Sequence, residues 1–543
     1  MKLYEFLNNC IASLGGKKAF GVPGSYIMPI WQNLGGVDIV TCTSEGDAAY
    51  IATGYARATR SLSVLLTTAG PGLTNALSGI ASAYRDSLPL VIISGTVSTK
   101  DKNKGAFQEE GEYNRAFEST QITQGVTKKS VLINSPHNAA QIIHDAFHTA
   151  ITDRWGSVHL SIPVDLQCAE IDTKNIQRFS AYCGKRKKIN FEQTYQDVSQ
   201  HKALIIAGWG NYLANSVEAV MKIAEKLSAP IVNTMKAKSC FNSDYPFLLG
   251  TLGLSTSKEV IDFLTYYAPR VVLVFGSSLG MKDIANIASI LEKTKIYIFD
   301  IEDNACEHLR IERKYISNNY ESLLASFECG LKSSVMNAGI KKQIKAVKLN
   351  EKKSWESKIG VDDLMAKTIR YIDKKVGGNV VVFPDAGNHF LNSLTFFNPK
   401  SFSAFFVDAG LAAMGNGICS AIGHAFANPD VRHVCITGDG CCLMNGNSMY
   451  VASQYNLNIL FVAYNNNSHG RVRVWQKQYD KINYTTDISL KSLQRYSSSL
   501  NVYSKAVYLE SEFVAAFDDF IKRNDTNLIE VFTPSDETPI ILK

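Results

Sequence analysis

The 543-residue sequence has no hydrophobic run long enough to span a membrane. Its first residues, MKLYEFLNNC, lack the long apolar core of a secretory signal peptide. The 11 cysteines are scattered without the paired spacing of a metal site, so we interpret them as reduced thiols of a cytoplasmic protein. The formal net charge is only +6, and no Lys/Arg cluster suggests a nucleic-acid surface. We therefore expect neither a membrane nor a nucleic acid as a partner.

Apolar runs that alternate with helical patterns extend along the whole sequence. A content of 45% hydrophobic and 20% charged residues is typical of globular domains with sizeable cores. Alternating strands and helices predict an α/β fold with parallel, doubly wound sheets. We place three such domains at residues 1–166, 198–330 and 360–543. Between them, the irregular stretch 167–197, which contains KRKK at 185–188, and the Lys/Ser/Asn-rich stretch 331–360 are interpreted as linkers.

The most informative stretch runs from His433 to Trp475. It predicts, in order, a strand at 433–437, a Gly-Asp-Gly turn at 438–440, a helix at 441–455, a strand at 459–464 and an asparagine-rich end at 465–467. In a parallel sheet, Asp439 and Asn466 emerge at the same carboxyl edge, where such sheets bind ligands. Their oxygens suit Mg²⁺, while the glycines and the helix start suit a diphosphate. GDG alone would fit an ordinary turn, and the later Asn pair makes the pattern specific.

This pattern is the motif of thiamin diphosphate enzymes. The pieces GDG, MN, YNL, NN and VxVWQ resemble the acetohydroxyacid (acetolactate) synthase branch of that family. The resemblance implies that Mg²⁺ is held by Asp439, by the Asn466 side chain and by the backbone carbonyl of Ser468. It implies further cofactor contacts from Gly387, Asn388, His389, Ala412, Met414, Gly438, Gly440, Cys441, His469 and Gly470. Among these, the Ala412 carbonyl would accept from the 4′-amino group, and Met414 would hold the cofactor bent.

The first domain resembles the pyrimidine-binding domain of the same family through FGVPGSYIMP, SEGDAAYIATGYAR, TTAGPGLTNALSG and FQEE. The resemblance implies that Glu45 hydrogen-bonds N1′ of the aminopyrimidine, whereas its position alone would make it a helix-start carboxylate. Pro71 and Asn75 match pyrimidine contacts, although Pro71 is about equally explained as a turn residue. Ser25 and Gln108 match catalytic positions near the substrate.

Several positions depart from the synthase pattern. Gly208-Trp209-Gly210 lacks the full dinucleotide fingerprint. Ser278 stands where flavin-binding synthases carry an Arg, so we expect FAD to be absent. Lys282 aligns with the Arg of the acceptor carboxylate, and a surface lysine is the alternative. Trp475 matches the tryptophan that shapes the acceptor pocket. His469-Gly470-Arg471 replaces LGM, so we expect an altered substrate pocket.

The activity that the resemblance implies is decarboxylation of a 2-oxo acid, with pyruvate as the default donor, followed by carboligation to a second carbonyl. A non-ligating decarboxylase and a carboligase with a non-pyruvate acceptor remain alternatives. A non-catalytic cofactor-binding paralogue is a further alternative, against which the intact Glu45, Asp439, Asn466 and Met414 argue. Family members build each site between two subunits, so the resemblance also implies a homodimer or homotetramer.

Overall fold

Three separate parallel sheets divide the chain, in agreement with the α/β class that the alternating pattern predicts. The computed structural model describes residues 1–111, 113–174, 176–177, 179, 189–333, 339–479 and 485–542. The KRKK segment at 185–188, predicted as part of a linker, lies outside the described residues. Every strand pair within the three sheets is parallel, and the central strands are buried along their whole length because helices cover both faces.

The first sheet has six strands in the order β2-β1-β3-β4-β6-β5. Its strands are β1 (Lys18–Gly21), β2 (Asp38–Thr41), β3 (Ser63–Thr67), β4 (Leu90–Thr96), β5 (Lys129–Leu132) and β6 (Val158–Pro163). Its helices are α1 (Leu3–Ser13), α2 (Met28–Asn33), α3 (Glu45–Thr59), α4 (Pro71–Arg85), α5 (Ser119–Thr123) and α6 (Pro136–Ile151). The Ser44 side chain caps α3 by accepting from the backbone N–H of Asp47, and Pro71 begins α4 where a missing N–H costs nothing.

The second sheet has six strands in the order β12-β11-β10-β7-β8-β9. Its strands are β7 (Ala203–Ala207), β8 (Ile231–Asn233), β9 (Leu248–Thr251), β10 (Val271–Phe275), β11 (Lys295–Asp300) and β12 (Arg313–Ile316). Its helices are α7 (Glu192–Gln200), α8 (Gly210–Leu213), α9 (Val217–Leu227), α10 (Lys258–Tyr267), α11 (Met281–Ile284), α12 (Ala288–Leu291) and α13 (Tyr320–Gly330). Helix α7 lies in the stretch predicted to be irregular, because Asp197 bonds to Lys295 and Tyr297 of the second sheet.

A charged helix, α14 (Ile340–Ser357), leads to the third sheet, whose order is β13-β14-β15-β17-β16. The strands are β13 (Val380–Pro384), β14 (Arg432–Gly438), β15 (Ile459–Asn465), β16 (Tyr503–Val507) and β17 (Asn527–Phe532). The helices are α15 (Leu364–Lys375), α16 (Asn388–Phe396), α17 (Asn416–Ala427), α18 (Asp439–Asn445), α19 (Met449–Gln454), α20 (Gly470–Gln478), α21 (Gln494–Ser499) and α22 (Glu510–Phe520).

The single helix predicted at 441–455 is wrong in its length and continuity. Helix α18 begins two residues earlier, at Asp439, and a 3₁₀ turn at Gly446–Ser448 separates it from α19. The Ser448 hydroxyl donates to the Asn445 carbonyl at 2.6 Å, which offers the backbone an alternative to the α-helical ladder. The Tyr496 ring also packs on Gly446, where an added Cβ would lie 2.9 Å from Cε1.

The first and third domains pack against each other through α3 and α17. The two helices approach closely at glycines: a Cβ on Gly54 would lie 2.5 Å from the Ser420 carbonyl oxygen, and one on Gly423 would overlap the Ile51 carbonyl. Buried apolar residues of both helices belong to one continuous core that also includes the second sheet.

A buried group of charges, which we call the three-domain junction, consists of Arg57, Asp86, Lys236 and Asp408. Arg57 donates to Asp86 at 2.6 Å, and both side chains are almost fully buried. Lys236 of the central domain pairs with the same carboxylate. Asp408 of the third domain accepts from the Ser82 hydroxyl of the first at 3.3 Å. The junction therefore ties all three domains together.

Candidate active site

The predicted metal pair meets at the carboxyl edge of the third sheet. Asp439 follows β14 and Asn466 follows β15, and the Asn466 backbone N–H donates to Asp439 Oδ2 at 3.1 Å. Asp439 Oδ1 accepts from the Gly440 N–H at 2.7 Å. Burial raises the pKa of Asp439, while the backbone N–H groups that face it favour the charged form. The Ser468 N–H donates to Asn466 Oδ1 at 3.1 Å, which fixes the loop that carries the expected third ligand.

The Gly387-Asn388-His389 turn lies beside this pair. A Cβ on Gly438 would lie 3.0 Å from Cε1 of His389, and a Cβ on Gly470 would overlap Nδ2 of Asn466 and lie 3.1 Å from Nδ2 of Asn388. Gly387 has φ 150°, which a side chain would disfavour. The glycines thus leave space between the Asn388 turn and the Asn466 loop.

Three buried polar atoms in this region have no hydrogen-bond partner among the described residues. They are Asn388 Oδ1, His389 Nε2 and Ser468 Oγ. Leaving a buried polar atom unpaired costs roughly 1–3 kcal/mol. Burial lowers the pKa of His389 to about 3, so the ring is neutral and can donate one N–H. The arrangement therefore suits a polar ligand that supplies the missing partners.

Met414 reaches the same region from the start of α17. A Cβ on Gly440 would lie 3.0 Å from the Met414 Cε and 3.2 Å from the His469 Nδ1. Ala412 has a φ of 57°, in the left-handed region that residues other than glycine rarely adopt. The buried Cys441 thiol donates to the Ala386 carbonyl at 3.1 Å, and burial raises its pKa well above the usual value. Cys441, as a neutral thiol, therefore links α18 to the turn that contains Ala386 and Gly387.

Asp385 connects three segments of the site region, a role that the sequence did not reveal. It is 2% exposed and directly follows β13. Its Oδ1 accepts from the N–H groups of Ala386 and Gly415 at 2.8 and 3.0 Å, and its Oδ2 accepts from the Thr437 hydroxyl at 3.1 Å. Burial raises the pKa of Asp385 to about 6. A charged residue directly after a buried strand was the signal that could have indicated this connection.

The first-domain residues form a second group at the carboxyl edge of the first sheet. Glu45 is half-buried at the start of α3 and accepts from the Asn75 side chain at 3.3 Å. A Cβ on Gly72, the residue after Pro71, would lie 3.3 Å from Glu45 Oε1. The start of α4 therefore contacts the glutamate, with Asn75 as its hydrogen-bond donor.

Gln108 and Ser25 lie on loops near this group. The Gln108 carbonyl would lie 3.7 Å from a Cβ on Gly70, which places the Gln108 loop beside the Pro71 turn. The buried Glu110 carboxylate accepts from the Gly70 N–H at 2.7 Å and fixes that approach. Ser25 is exposed in the turn before α2, and the next residue, Tyr26, donates to the Phe107 carbonyl at 2.6 Å.

A cavity of about 500 Å³ lies where the three domains meet. Its lining includes Arg85, Met235, Lys282, Phe390, Gly410 and Ala412. The Lys282 ammonium donates to the Ala409 carbonyl, and burial lowers its pKa. Lys282 is therefore held in the cavity wall, next to the loop of Ala412. Trp475 does not line this cavity and is 56% exposed on α20.

The glycines of Gly208-Trp209-Gly210 have a packing role. A Cβ on Gly208 would overlap the Gly276 carbonyl, and one on Gly210 would lie 2.9 Å from the Cα of Gly276. The Asn211 side chain donates to the Gly208 and Phe275 carbonyls at 3.0 and 2.7 Å. Contact between the ends of β7 and β10 thus accounts for these glycines. Ser278 is exposed after β10.

Within the described ranges, no group of three or more His, Cys, Asp or Glu residues could hold a metal ion. A site made from one carboxylate, one amide and one backbone carbonyl has a different set of donors. No helix among those residues combines the length and apolarity needed to cross a membrane.

Comparison with known proteins adds an independent finding. Three family models match in chain order: the thiamine pyrophosphate enzyme N-terminal TPP binding domain at residues 1–115, the central domain at 198–317 and the C-terminal TPP binding domain at 385–531. The two outer matches contain the two groups of site residues described above.

Curated relatives agree with the family models. The chain is 28% identical to the probable acetolactate synthase large subunit of Methanocaldococcus jannaschii over 499 residues, which is 88% of this chain and 82% of the relative. It is 26% identical to the acetolactate synthase isozyme 2 large subunit of Escherichia coli over 538 residues, covering 97% and 94% of the two chains. The acetolactate synthase large subunit of Lactococcus lactis is 27% identical, with 86% and 81% covered.

The buried His389 Nε2 and Ser468 Oγ atoms, which have no partner among the described residues, can each donate a hydrogen bond to the diphosphate of such a cofactor. Asn388 Oδ1 is an acceptor and needs a donor such as a water molecule beside the diphosphate. The Glu45 group fits a ring that carries hydrogen-bonding nitrogens. Because the three family models match in order and span all three sheets, the chain belongs to the thiamine pyrophosphate enzyme family, as a carboligase or decarboxylase similar to acetolactate synthase large subunits.

Proposed function

We propose that this protein decarboxylates a 2-oxo acid, with pyruvate as the default donor, and joins the retained fragment to a second carbonyl compound. The observation that carries the proposal is the set of buried, unpaired polar atoms beside Asp439, namely Asn388 Oδ1, His389 Nε2 and Ser468 Oγ. Such atoms call for a polar ligand at the carboxyl edge of the sheet, where α/β enzymes bind phosphate-bearing cofactors.

Mg²⁺ would be held by Asp439, by the Asn466 side chain and by the Ser468 backbone carbonyl. Support comes from the hydrogen bond that already joins Asp439 to the Asn466 backbone at 3.1 Å. One carboxylate and two neutral oxygens leave coordination positions for phosphate oxygens and water, which is the usual way proteins hold Mg²⁺. The donors Asn388 and His389 would contact the diphosphate from the other side.

The remaining site residues would orient the cofactor rings. Thiamine pyrophosphate, when bound, supplies an electron sink for the pair released when CO₂ leaves. Glu45 would keep a proton at N1′ of the aminopyrimidine, and the Ala412 carbonyl would accept from the 4′-amino group. Met414 would support the bent cofactor from below, with Pro71 and Asn75 against the pyrimidine. Each role needs a fixed side chain, and Glu45 has such a contact in Asn75.

The acceptor would bind in the cavity beside Ala412. Lys282 in its wall supplies a cation for the carboxylate of an acceptor 2-oxo acid, and the volume of about 500 Å³ leaves room for a small substrate. Trp475 lies outside the lining of this cavity, so its role as an aromatic wall for the acceptor rests on the family resemblance alone. Ser25 and Gln108 would approach the acceptor from the first domain. The packing of Gly208 and Gly210 on Gly276, with Ser278 in place of Arg, supports a protein that works without FAD.

The protein would act as a homodimer or homotetramer with sites between subunits. Among the described residues, the hydrogen bond of the Glu45 carboxylate is to Asn75 of its own domain and not to the third domain. On α18 and α19, Leu443, Met444 and Tyr450 are between 39% and 57% exposed. Exposed apolar side chains next to half of a cofactor site favour a second copy as the covering surface.

The proposal can be tested by measuring CO₂ release from pyruvate and other 2-oxo acids, with and without thiamine pyrophosphate and Mg²⁺, and by weighing the products. We expect release that requires both additions, with a joined product heavier than the aldehyde. Glu45→Gln should abolish turnover while retaining the fold. An aldehyde as sole product would identify a non-ligating decarboxylase. Cofactor binding without turnover of any 2-oxo acid would identify a non-catalytic paralogue and overturn the proposal.

A further inference from the structure

Arg471 is a partly buried cation with no ion-pair partner among the described residues. Its Nη1 atom is buried and has no hydrogen-bond partner among the described residues. Burial lowers the pKa of Arg471, and no carboxylate acts against that effect. The guanidinium of Arg473, two residues later, instead bonds to Thr486 at 3.3 Å and pairs with Asp487. A buried guanidinium nitrogen without a partner is costly, so its presence calls for an anion that the described part of the chain does not provide.

The position of Arg471 connects it to the cofactor site. It is the second residue of α20, directly after Gly470, whose backbone closely approaches the Asn466 and Asn388 side chains. Trp475 lies four residues further along the same helix, so the guanidinium and the indole share one helix face. Arg473, on the opposite side of the helix, is buried, and so is Val474, which neighbours Arg471 at a spacing of three residues. Arg471 thus stands between the predicted metal loop and the predicted aromatic wall of the substrate pocket.

We propose that Arg471 is a specificity-determining residue that pairs with a carboxylate which the substrate keeps through the reaction. The inference rests on the proposed function and names the substrate class more narrowly: an anion is preferred over a neutral aldehyde or an apolar chain. A cation that paired with the departing carboxylate would stabilise the ground state and slow CO₂ loss. The partner must therefore be a retained carboxylate, supplied either by a dicarboxylic donor or by the acceptor 2-oxo acid.

The matched substitution is Arg471→Met, because Met is the residue of the LGM pattern at this position. Arg471→Lys keeps the charge without the planar fork of donors. Lys477→Met removes one positive charge from the same helix at an exposed pair with Asp536, at 3.4 Å, and serves as the control. Asp480 lies outside the described residues and, of the carboxylates there, is the one nearest to Arg471 in the sequence. Asp480→Asn removes it and so tests whether it contributes to the effect of Arg471.

Two arms distinguish the source of the carboxylate. The donor arm measures kcat and KM for CO₂ release from pyruvate and from 2-oxoglutarate as sole substrates. The acceptor arm fixes the donor and lets 2-oxobutyrate compete with propanal, with product masses giving the ratio. In the arm that supplies the anion, Arg471→Met should lower kcat/KM for the retained-carboxylate substrate by roughly 10- to 100-fold, mostly through KM. The kcat/KM for the comparison substrate, pyruvate in the donor arm or propanal in the acceptor arm, should change less than about twofold. The kcat/KM of Arg471→Lys for the retained-carboxylate substrate should lie between those of the unsubstituted protein and Arg471→Met.

The outcomes separate this inference from the proposed function. Cofactor-dependent CO₂ release by the unsubstituted protein tests the function without reference to Arg471. If that release occurs and Arg471→Met lowers all substrates equally, the specificity role is wrong. If calorimetry finds weaker thiamine pyrophosphate binding in Arg471→Met, the guanidinium contacts the cofactor and not the substrate. If Asp480→Asn or Lys477→Met gives the same change in discrimination, the effect does not come from a pairing of Arg471 with substrate.

Discussion

Asp439 is both the first residue of a helix and a buried carboxylate. It begins α18 as the first helical residue, where a negative charge is favoured, and its carboxylate is almost fully buried. The backbone N–H groups of Gly440 and Asn466 offset part of the desolvation that raises its pKa. These hydrogen bonds hold the two oxygens in place beside the loop of Asn466, where a cation would bind.

Asp439→Ala should abolish Mg²⁺-dependent capture of thiamine pyrophosphate. Without the carboxylate, the charge of the diphosphate is not compensated, and we expect the affinity to fall by roughly 100-fold or more, since loss of even an outer partner of a metal ligand costs 10–100-fold. Titration calorimetry with and without Mg²⁺ measures the loss. Asp430→Ala, at an exposed turn of the same domain, is the control. Unchanged affinity in Asp439→Ala would refute the assignment of the metal site.

Residues whose roles depend on local motifs could be predicted, and residues whose roles depend on distant partners could not. The sequence predicted that Asp439 and Asn466 meet, because a strand, a turn and a helix of known length separate them. It did not predict the hydrogen bond from Asn445 to Asp47, because the two residues are 398 positions apart. The roles of the individual site residues, the metal, the absence of FAD and the cytoplasmic location stay predictions.

Among the elements, α3 and α17 carry the contact between the domains that hold the two halves of the site. Their close approach depends on small residues at the crossing, Gly54 and Gly423. From sequence, these glycines were interpreted only through the family motif. The strands predicted at 433–437 and 459–464 match β14 and β15 within one residue, because each is a short apolar run bounded by turn residues. The break between α18 and α19 was not predicted, because it involves Tyr496, which is distant in sequence.

Gly423→Ala should destabilise the protein by pushing α17 away from α3. The added methyl group would overlap the Ile51 carbonyl, which is backbone and cannot rotate aside. Overpacking of this kind costs about 1–3 kcal/mol, which we expect to appear as a lower thermal midpoint.

Differential scanning calorimetry of Gly423→Ala and Gly125→Ala provides the comparison. A Cβ on Gly125 meets nothing within 4 Å, so this control should keep the midpoint of the unsubstituted protein. Equal midpoints for the two variants would mean that the helices separate without cost, and the close contact at Gly423 would then be unimportant for stability.

The whole molecule divides its cofactor site between two domains. Glu45, Pro71 and Asn75 lie on the first domain, while Asp439 and Met414 lie on the third. If a two-fold axis relates two chains, one self-complementary contact completes two equal sites.

Mixing Glu45→Gln with Asp439→Ala should restore activity if sites form between chains. A mixed dimer then contains one doubly damaged site and one intact site. With random exchange, about half of the dimers are mixed, so roughly one quarter of the unsubstituted activity should return. CO₂ release after subunit exchange measures this, and each variant alone, taken through the same exchange, gives the baseline. Continued inactivity despite demonstrated exchange would place the whole site within one chain.

Helix α3 acts as a rigid lever between the three-domain junction and the glutamate. It has 15 residues, with Glu45 at one end and Arg57 in the last turn at the other. Twelve residue steps separate Glu45 from Arg57, which at 1.5 Å per residue is about 18 Å. A tilt of about 5° at the junction end would therefore displace the Glu45 end by about 1.6 Å, more than a hydrogen bond tolerates. The ion pair of Arg57 with Asp86 thus contributes to the position of a carboxylate that lies three helical turns away.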